Sequence, residues 1–281
     1  MRYVFWGSFE FAQGVFEQLV EARLFPLALV CNPDRPVGRH EVLTPPLTKT
    51  FALKHGIPVL QPESINDDML HDALARLKPD VFVVTAYAKI IPDDVINLPH
   101  YGTLGVHPSH LPRYRGATPI QTALMAGEEH FGISIYRMDE KIDHGPILAQ
   151  TDVVIPESER TYNHCIDVLS TQGGALLAQT LPPYCAGELV PHPQDETQAT
   201  YTKKFSTEDG QVDFTQDDPI EILRKIQALT PSPGVFAFVD GKRTKLLAAH
   251  READNMIITR ITKEGKAPSD TRILLALKSQ G

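Results

Sequence analysis

RYVFWGSFEFAQGVFEQLVEARLFPLALVC, residues 2–31, is the stretch whose reading decides the fold. Residues 2–6 are a short apolar run, Gly7-Ser8 break it, and residues 11–22 repeat apolar side chains at about i, i+4 and i+8 before residues 27–31 turn apolar again. Strand, helix and strand in so short a span make a βαβ unit, whose crossover forces the two strands to lie parallel. The rhythm continues outward. A helix starts near Leu47 and ends at His55-Gly56, residues 57–60 read as a strand, 67–77 as a helix, and 81–85 as a strand apolar enough to be buried on both faces. The expected fold class is therefore α/β, a doubly wound, mostly parallel sheet. Gly7 stands alone, without the G-x-G-x-x-G that cradles a dinucleotide, so no nicotinamide cofactor is expected.

Ligands of open α/β sheets collect outside the carboxyl ends of the strands. Residues 103–106 form a strand that delivers His107 at the head of HPSHLPRYRG (107–116), and residues 132–138 lead into MDEKIDHG (138–145). Folding back at Gly116 and a helix over residues 119–125 would let His107 meet Asp143. The pair would then supply a general base and a carboxylate that sets its tautomer. On these two residues alone, a structural histidine and a solvated aspartate are the commoner reading. Ser109 follows a proline and has no G-x-S-x-G elbow, so it is not expected to be a nucleophile. His107 and His110 share a Pro-flanked loop with no HExxH or CxxC elsewhere, and no metal is expected.

The longer strings say more. HPSHLPRYRGATPIQTAL and MDEKIDHGPILAQ resemble the folate-dependent formyltransferases. PDRPVGR (33–39), Pro45-Pro46 and Lys49, with PSPGVF (231–236) and DGKRTK (240–245), resemble the branch of that family that formylates the amino group of initiator methionyl-tRNA. The resemblance implies a Rossmann-like formyltransferase domain at 1–188, a linker at 189–202, and a shortened OB-like β-barrel that binds tRNA at 203–281. It implies 10-formyltetrahydrofolate as co-substrate, with His107 and Asp143 as the catalytic pair. Tyr87, Ala88, Lys89, Ile90 and Ile91, which follow strand 81–85, would line the folate site with Ser109, Pro112 and Asp139. Arg35, Arg39, Lys49, Lys242, Arg243 and Lys245 would meet the tRNA.

Three positions depart from the family pattern, and at one of them His110 stands where the family usually has an apolar residue. Ala88 replaces a usual glycine. Gly105 stands where the family has an asparagine whose amide holds the formyl oxygen. One such donor is worth about 10²–10³ in rate, so an asparagine restored at 105 is expected to raise turnover. Two other readings stay open: formylation of another amine, such as an amino sugar nucleotide, and a weakened folate- or RNA-binding homologue.

The composition fits these expectations. Residues 1–200 carry 14 basic and 24 acidic side chains, whereas residues 201–281 carry 13 and 11, a contrast suited to a polyanionic partner at the C-terminal end. No apolar run reaches the roughly 18 residues of a membrane span, and residues 1–12 lack the basic start of a signal peptide. Three cysteines without ligand spacing fit a reducing cytoplasm. A monomer is expected.

Overall fold

A computed structural model describes residues 1–38 and 41–276. Its elements in chain order are β1 (Tyr3–Trp6), α1 (Glu10–Glu21), β2 (Ala28–Val30), β3 (Arg35–Val37), β4 (Val42–Thr44), α2 (Leu47–Lys54), β5 (Val59–Leu60), α3 (Asp68–Leu77), β6 (Val81–Val84) and α4 (Asp93–Ile96). They continue with β7 (Thr103–His107), α5 (Pro119–Ala126), β8 (His130–Arg137), β9 (Ile147–Val154), α6 (Tyr162–Cys185), α7 (Pro219–Leu229), β10 (Val235–Val239), β11 (Lys242–Glu252), β12 (Asn255–Lys263) and β13 (Ser269–Ala276).

The main sheet runs β5-β2-β1-β6-β7-β8-β9. Pairing is parallel through β7, with Val4 set beside Ala28 on one side and Phe82 on the other, and turns antiparallel where β7 meets β8. Every residue of β1, β2, β6 and β7 is buried, which is why these strands read as unbroken apolar runs rather than alternating ones. α1 turns Phe11, Ala12, Val15, Phe16 and Leu19 inward, and Phe16 stacks on Phe5 of β1 at 4.7 Å. From β1 the chain winds outward through β2 to β5 and then returns to β6. The order reverses beside β1, so the carboxyl ends of β1 and β6 are the switch point at which ligands of such sheets collect.

Contacts divide the described chain into two units. One holds residues 1–115, 132–153 and 166–200; the other holds 116–131, 154–165 and 201–281. This differs from single boundaries at 188 and 203. Residues 116–131 join the second unit because α5 packs on α7. Residues 189–200 belong to the first unit and are not a loose linker: Ile147 and His192 exchange backbone hydrogen bonds, each 2.8 Å. The second unit's sheet is an antiparallel meander, β10-β11-β12-β13, with β10 and β13 at its two ends. Within the described residues those end strands are unpaired with each other, so the OB-like barrel expected there is an open sheet. No described helix is long and apolar enough to cross a membrane.

The PDRPVGR segment reads as a loop, yet β3 pairs with β4 to make a hairpin. It holds Val37, Val42 and Leu43 out in solvent. Arg39, expected to contact tRNA, lies outside the described residues.

Candidate active site

β7 carries His107 as its last residue, in backbone that is buried throughout, so the imidazole emerges at the carboxyl end of the sheet with little freedom. Its Nδ1 lies 3.6 Å from Asp143 Oδ2, an ion-pair distance longer than a hydrogen bond. Its Nε2 is 2.9 Å from the Tyr114 carbonyl oxygen. Tyr114 and Asp143 both hold left-handed backbone, φ 60° and 48°. A non-glycine residue in such backbone costs about 1–3 kcal/mol and persists only where its surroundings impose it. The His–Asp pair anticipated in the sequence is thus assembled, by strained turns on either side.

Asp143 is also held from behind. The Tyr136 hydroxyl donates to Asp143 Oδ1 at 2.6 Å. Burial, then the nearby Asp143 charge, push the Tyr136 phenol well above its ordinary value, so it stays a donor. The turn around Asp143 is fastened by a second group. Arg115, fully buried, donates from Nε and Nη2 to Gln194 Oε1 (3.1 and 2.7 Å) and from Nη1 and Nη2 to the Glu196 carboxylate (3.0 and 2.6 Å). Gln194 Nε2 in turn donates to the carbonyls of Asp143 (2.9 Å) and Gly145 (2.7 Å). The Arg115 hydrogen bonds hold the Glu196 carboxyl below its ordinary value. His144 bridges Asp139, at 2.6 Å, and Glu196, at 3.6 Å. Tyr136, Arg115, His144, Gln194 and Glu196 were not anticipated.

The other expected residues fall into different settings. Ser109 donates its hydroxyl to the Arg113 carbonyl at 2.6 Å and so shapes the loop. Pro112 follows a cis peptide, and its carbonyl accepts from the Thr200 amide at 3.2 Å. Asp139 is engaged by His144. After β6, Lys89 Nζ donates to the carbonyls of Pro62 and Glu63 at 2.6 and 2.8 Å. Ala88 and Ile90 are exposed, while Ile91 is buried in a cluster with Trp6, Val84 and Ile96, against which Tyr87 packs.

Tyr87 meets Trp6 edge-on at 5.5 Å. Among the described residues, Tyr87 Oη, Trp6 Nε1 and Asn32 Oδ1 are buried without hydrogen-bond partners. Trp6 closes β1, and Asn32 and Tyr87 lie just beyond β2 and β6, the strands on either side of it. Buried polar atoms left unpaired cost about 1–3 kcal/mol each, so each of them marks a place for a polar ligand or water.

Of the expected tRNA contacts, Arg35 pairs with Glu63 at 2.6 Å, both exposed. Lys49 is tied to Asp34 at 2.8 Å, so it braces the hairpin's base and does not present a lone charge. Gln61 and Lys49 together hold the Asp34 carboxyl below its ordinary value. Lys242, Arg243 and Lys245 lie along β11. Arg243 stacks on the Phe236 ring at 3.8 Å, and the cross-strand register puts Arg243, Lys245, Phe236 and the exposed Phe238 on one face.

A doubly wound sheet that brings His107 and Asp143 together at a strand end defines an α/β protein of a kind that hosts many enzymes. Residues 1–181 match the formyl transferase family, and residues 204–274 match the formyl transferase C-terminal domain. A methionyl-tRNA formyltransferase of Chloroflexus aggregans is 43% identical over 249 residues, covering 89% of this chain and 80% of that one. The chain belongs to the formyl transferase family, in the branch of the methionyl-tRNA formyltransferases. The same fold occurs in the methionyl-tRNA formyltransferase of Clostridium thermocellum, with TM-score 0.63 and 14% identity over 94% of this chain and 99% of that one. It occurs again in HypX of Aquifex aeolicus in complex with tetrahydrofolic acid, with TM-score 0.64 and 21% identity over 98% of this chain and 46% of that one.

Proposed function

We propose that the chain transfers a formyl group from 10-formyltetrahydrofolate to the amino group of initiator methionyl-tRNA, with His107 and Asp143 moving the protons. The observation that carries this reading is the His107–Asp143 pair, its imidazole buried at the end of β7, in a chain that matches a methionyl-tRNA formyltransferase over 89% of its length. The attacking amine must be neutral, and the tetrahedral intermediate must lose a proton from that amine and deliver one to the departing folate nitrogen. An imidazole backed by a carboxylate can do both, and such help is worth about 10²–10⁴. No acyl-enzyme is needed, so the engagement of Ser109 with the Arg113 carbonyl is no obstacle.

The residues present fit a folate. Trp6 Nε1 is a donor, Asn32 Oδ1 an acceptor and Tyr87 Oη either, all unpaired and buried. A pterin carries complementary ring nitrogens, an amino group and a carbonyl. The formyl donor supplies the activated one-carbon group, and the chain's residues hold it and move the protons. For the acceptor, the Arg243, Lys245 and Phe238 face of the C-terminal sheet combines cationic and aromatic surface, the pairing that suits a phosphate backbone with accessible bases. A working monomer and a cytoplasmic location are part of this reading, the second following from the substrate.

The test is a competition. Purified protein is given labelled formyl donor with equal concentrations of charged initiator tRNA and a nucleotide-linked amino sugar. The label is expected on the methionine nitrogen. Label on the sugar would support the amino-sugar reading, and label on neither would support a binding homologue.

A further inference from the structure

We infer that Tyr136 is a positioning residue of this site, holding the Asp143 carboxylate through its hydroxyl, and that position 105 is glycine because the tyrosine ring fills the space of its side chain. The inference rests on the proposed role of Asp143.

Gly105 and Tyr136 face each other across β7 and β8. A Cβ built on Gly105 would lie 2.3 Å from Tyr136 Cε1, 2.5 Å from Cζ and 2.8 Å from Oη. Real Cβ atoms do not approach so closely, and this ring has little room to yield, being 4% exposed and tethered at its tip. The ring can reach Asp143 from its strand only by crossing over a residue without a side chain. Gly105 has φ outside the left-handed region, so the glycine is required by the tyrosine and not by the backbone.

The carboxylate is then shared. Oδ1 accepts from Tyr136 at 2.6 Å, and Oδ2 faces His107 Nδ1 at 3.6 Å. With one oxygen anchored, the other is aimed at the imidazole. Space-filling alone would be served equally by phenylalanine, but the hydroxyl points at a carboxylate, and a hydrogen bond to a charged acceptor is among the stronger kinds.

Four proteins test this: Tyr136→Phe, Asp143→Asn, the double variant, and Gly105→Ala. For each, kcat, both KM values and the thermal midpoint are measured. Y136F is expected to lose about tenfold to a hundredfold in kcat, with both KM values and the midpoint close to the parent. D143N should lose at least as much, and Y136F/D143N should be no slower than D143N, because the hydroxyl acts only through that carboxylate. G105A keeps the hydroxyl in the chain but pushes the ring aside, so it should lose kcat like Y136F. Parent-like kcat in Y136F or G105A, losses that multiply in the double variant, or an effect confined to KM would overturn the inference. D143N at parent rate would instead overturn the site reading beneath it.

Discussion

At Gly105 two lines of reasoning give opposite predictions, and geometry decides between them. From the motif alone, an asparagine at 105 supplies a missing donor and raises turnover. With Tyr136 Cε1 2.3 Å from where a Cβ would stand, the first effect of Gly105→Asn is to displace the ring that anchors Asp143. Turnover is therefore expected to fall, and the overpacked strand pair to lose about 1–3 kcal/mol of stability. Thermal unfolding together with steady-state kinetics checks both. Asp143→Ala removes the carboxylate outright and should cost at least about a hundredfold in kcat with substrate binding retained. His107 and Asp143 were legible because each sits in a long, specific string. Tyr136 was not: an aromatic residue inside the run 131–136 reads as core, and nothing local says that its hydroxyl meets a carboxylate seven residues on.

At the scale of elements, the turn holding Asp143 is rigid because a distant segment ties it down. Arg115 and Gln194 are 79 residues apart in sequence, and Gln194 grips two carbonyls of the turn. Gln194→Ala should lower kcat several-fold and speed amide exchange across residues 143–145, with the KM for folate unchanged. Equal exchange in parent and variant would show the turn holding itself. Arg115→Ala leaves Gln194 and Glu196 without their donor. Truncating one partner of a fully buried pair costs about 3–5 kcal/mol, and the loss here should be smaller because the Glu196 side chain is 55% exposed.

The sign with pH follows from Glu196, whose carboxyl lies below its ordinary 4.5 in the folded protein. Its contribution is present in full above that ordinary value and is lost as pH falls through the lowered one. An acid titration of unfolding should steepen there in the parent and flatten in Glu196→Gln. The parallel strands and α1 were readable from periodicity. This clamp was not, because residues 189–202 are polar and aperiodic, and their order comes from partners far away in the chain. The β3–β4 hairpin escaped for a similar reason: its prolines and glycine read as loop, and its two strands are only three residues each.

At the scale of the whole molecule, the charge contrast follows the order of the chain, whereas the compact units do not. The N-terminal portion is acidic, and residues 201–281 carry the basic excess. The units themselves interleave in sequence, since α5 packs with α7, a pairing no local pattern announces. The face bearing Arg243, Lys245 and Phe238 should govern tRNA affinity. Lys245→Ala is expected to weaken tRNA binding and to reduce the dependence of log affinity on log salt by about one, the mark of one lost phosphate contact. Folate affinity should not move. Binding titrations at several salt concentrations measure both quantities.

The central claim is that His107, backed by Asp143, drives formyl transfer to initiator methionyl-tRNA. A single-turnover experiment tests it most directly. Parent enzyme and His107→Ala are each saturated with 10-formyltetrahydrofolate and charged tRNA, and formation of formylmethionyl-tRNA is followed in time. The account predicts transfer by the parent, and transfer at least about a hundredfold slower by the variant with both substrates still bound. Equal rates in the two proteins, or no transfer by the parent, would contradict it.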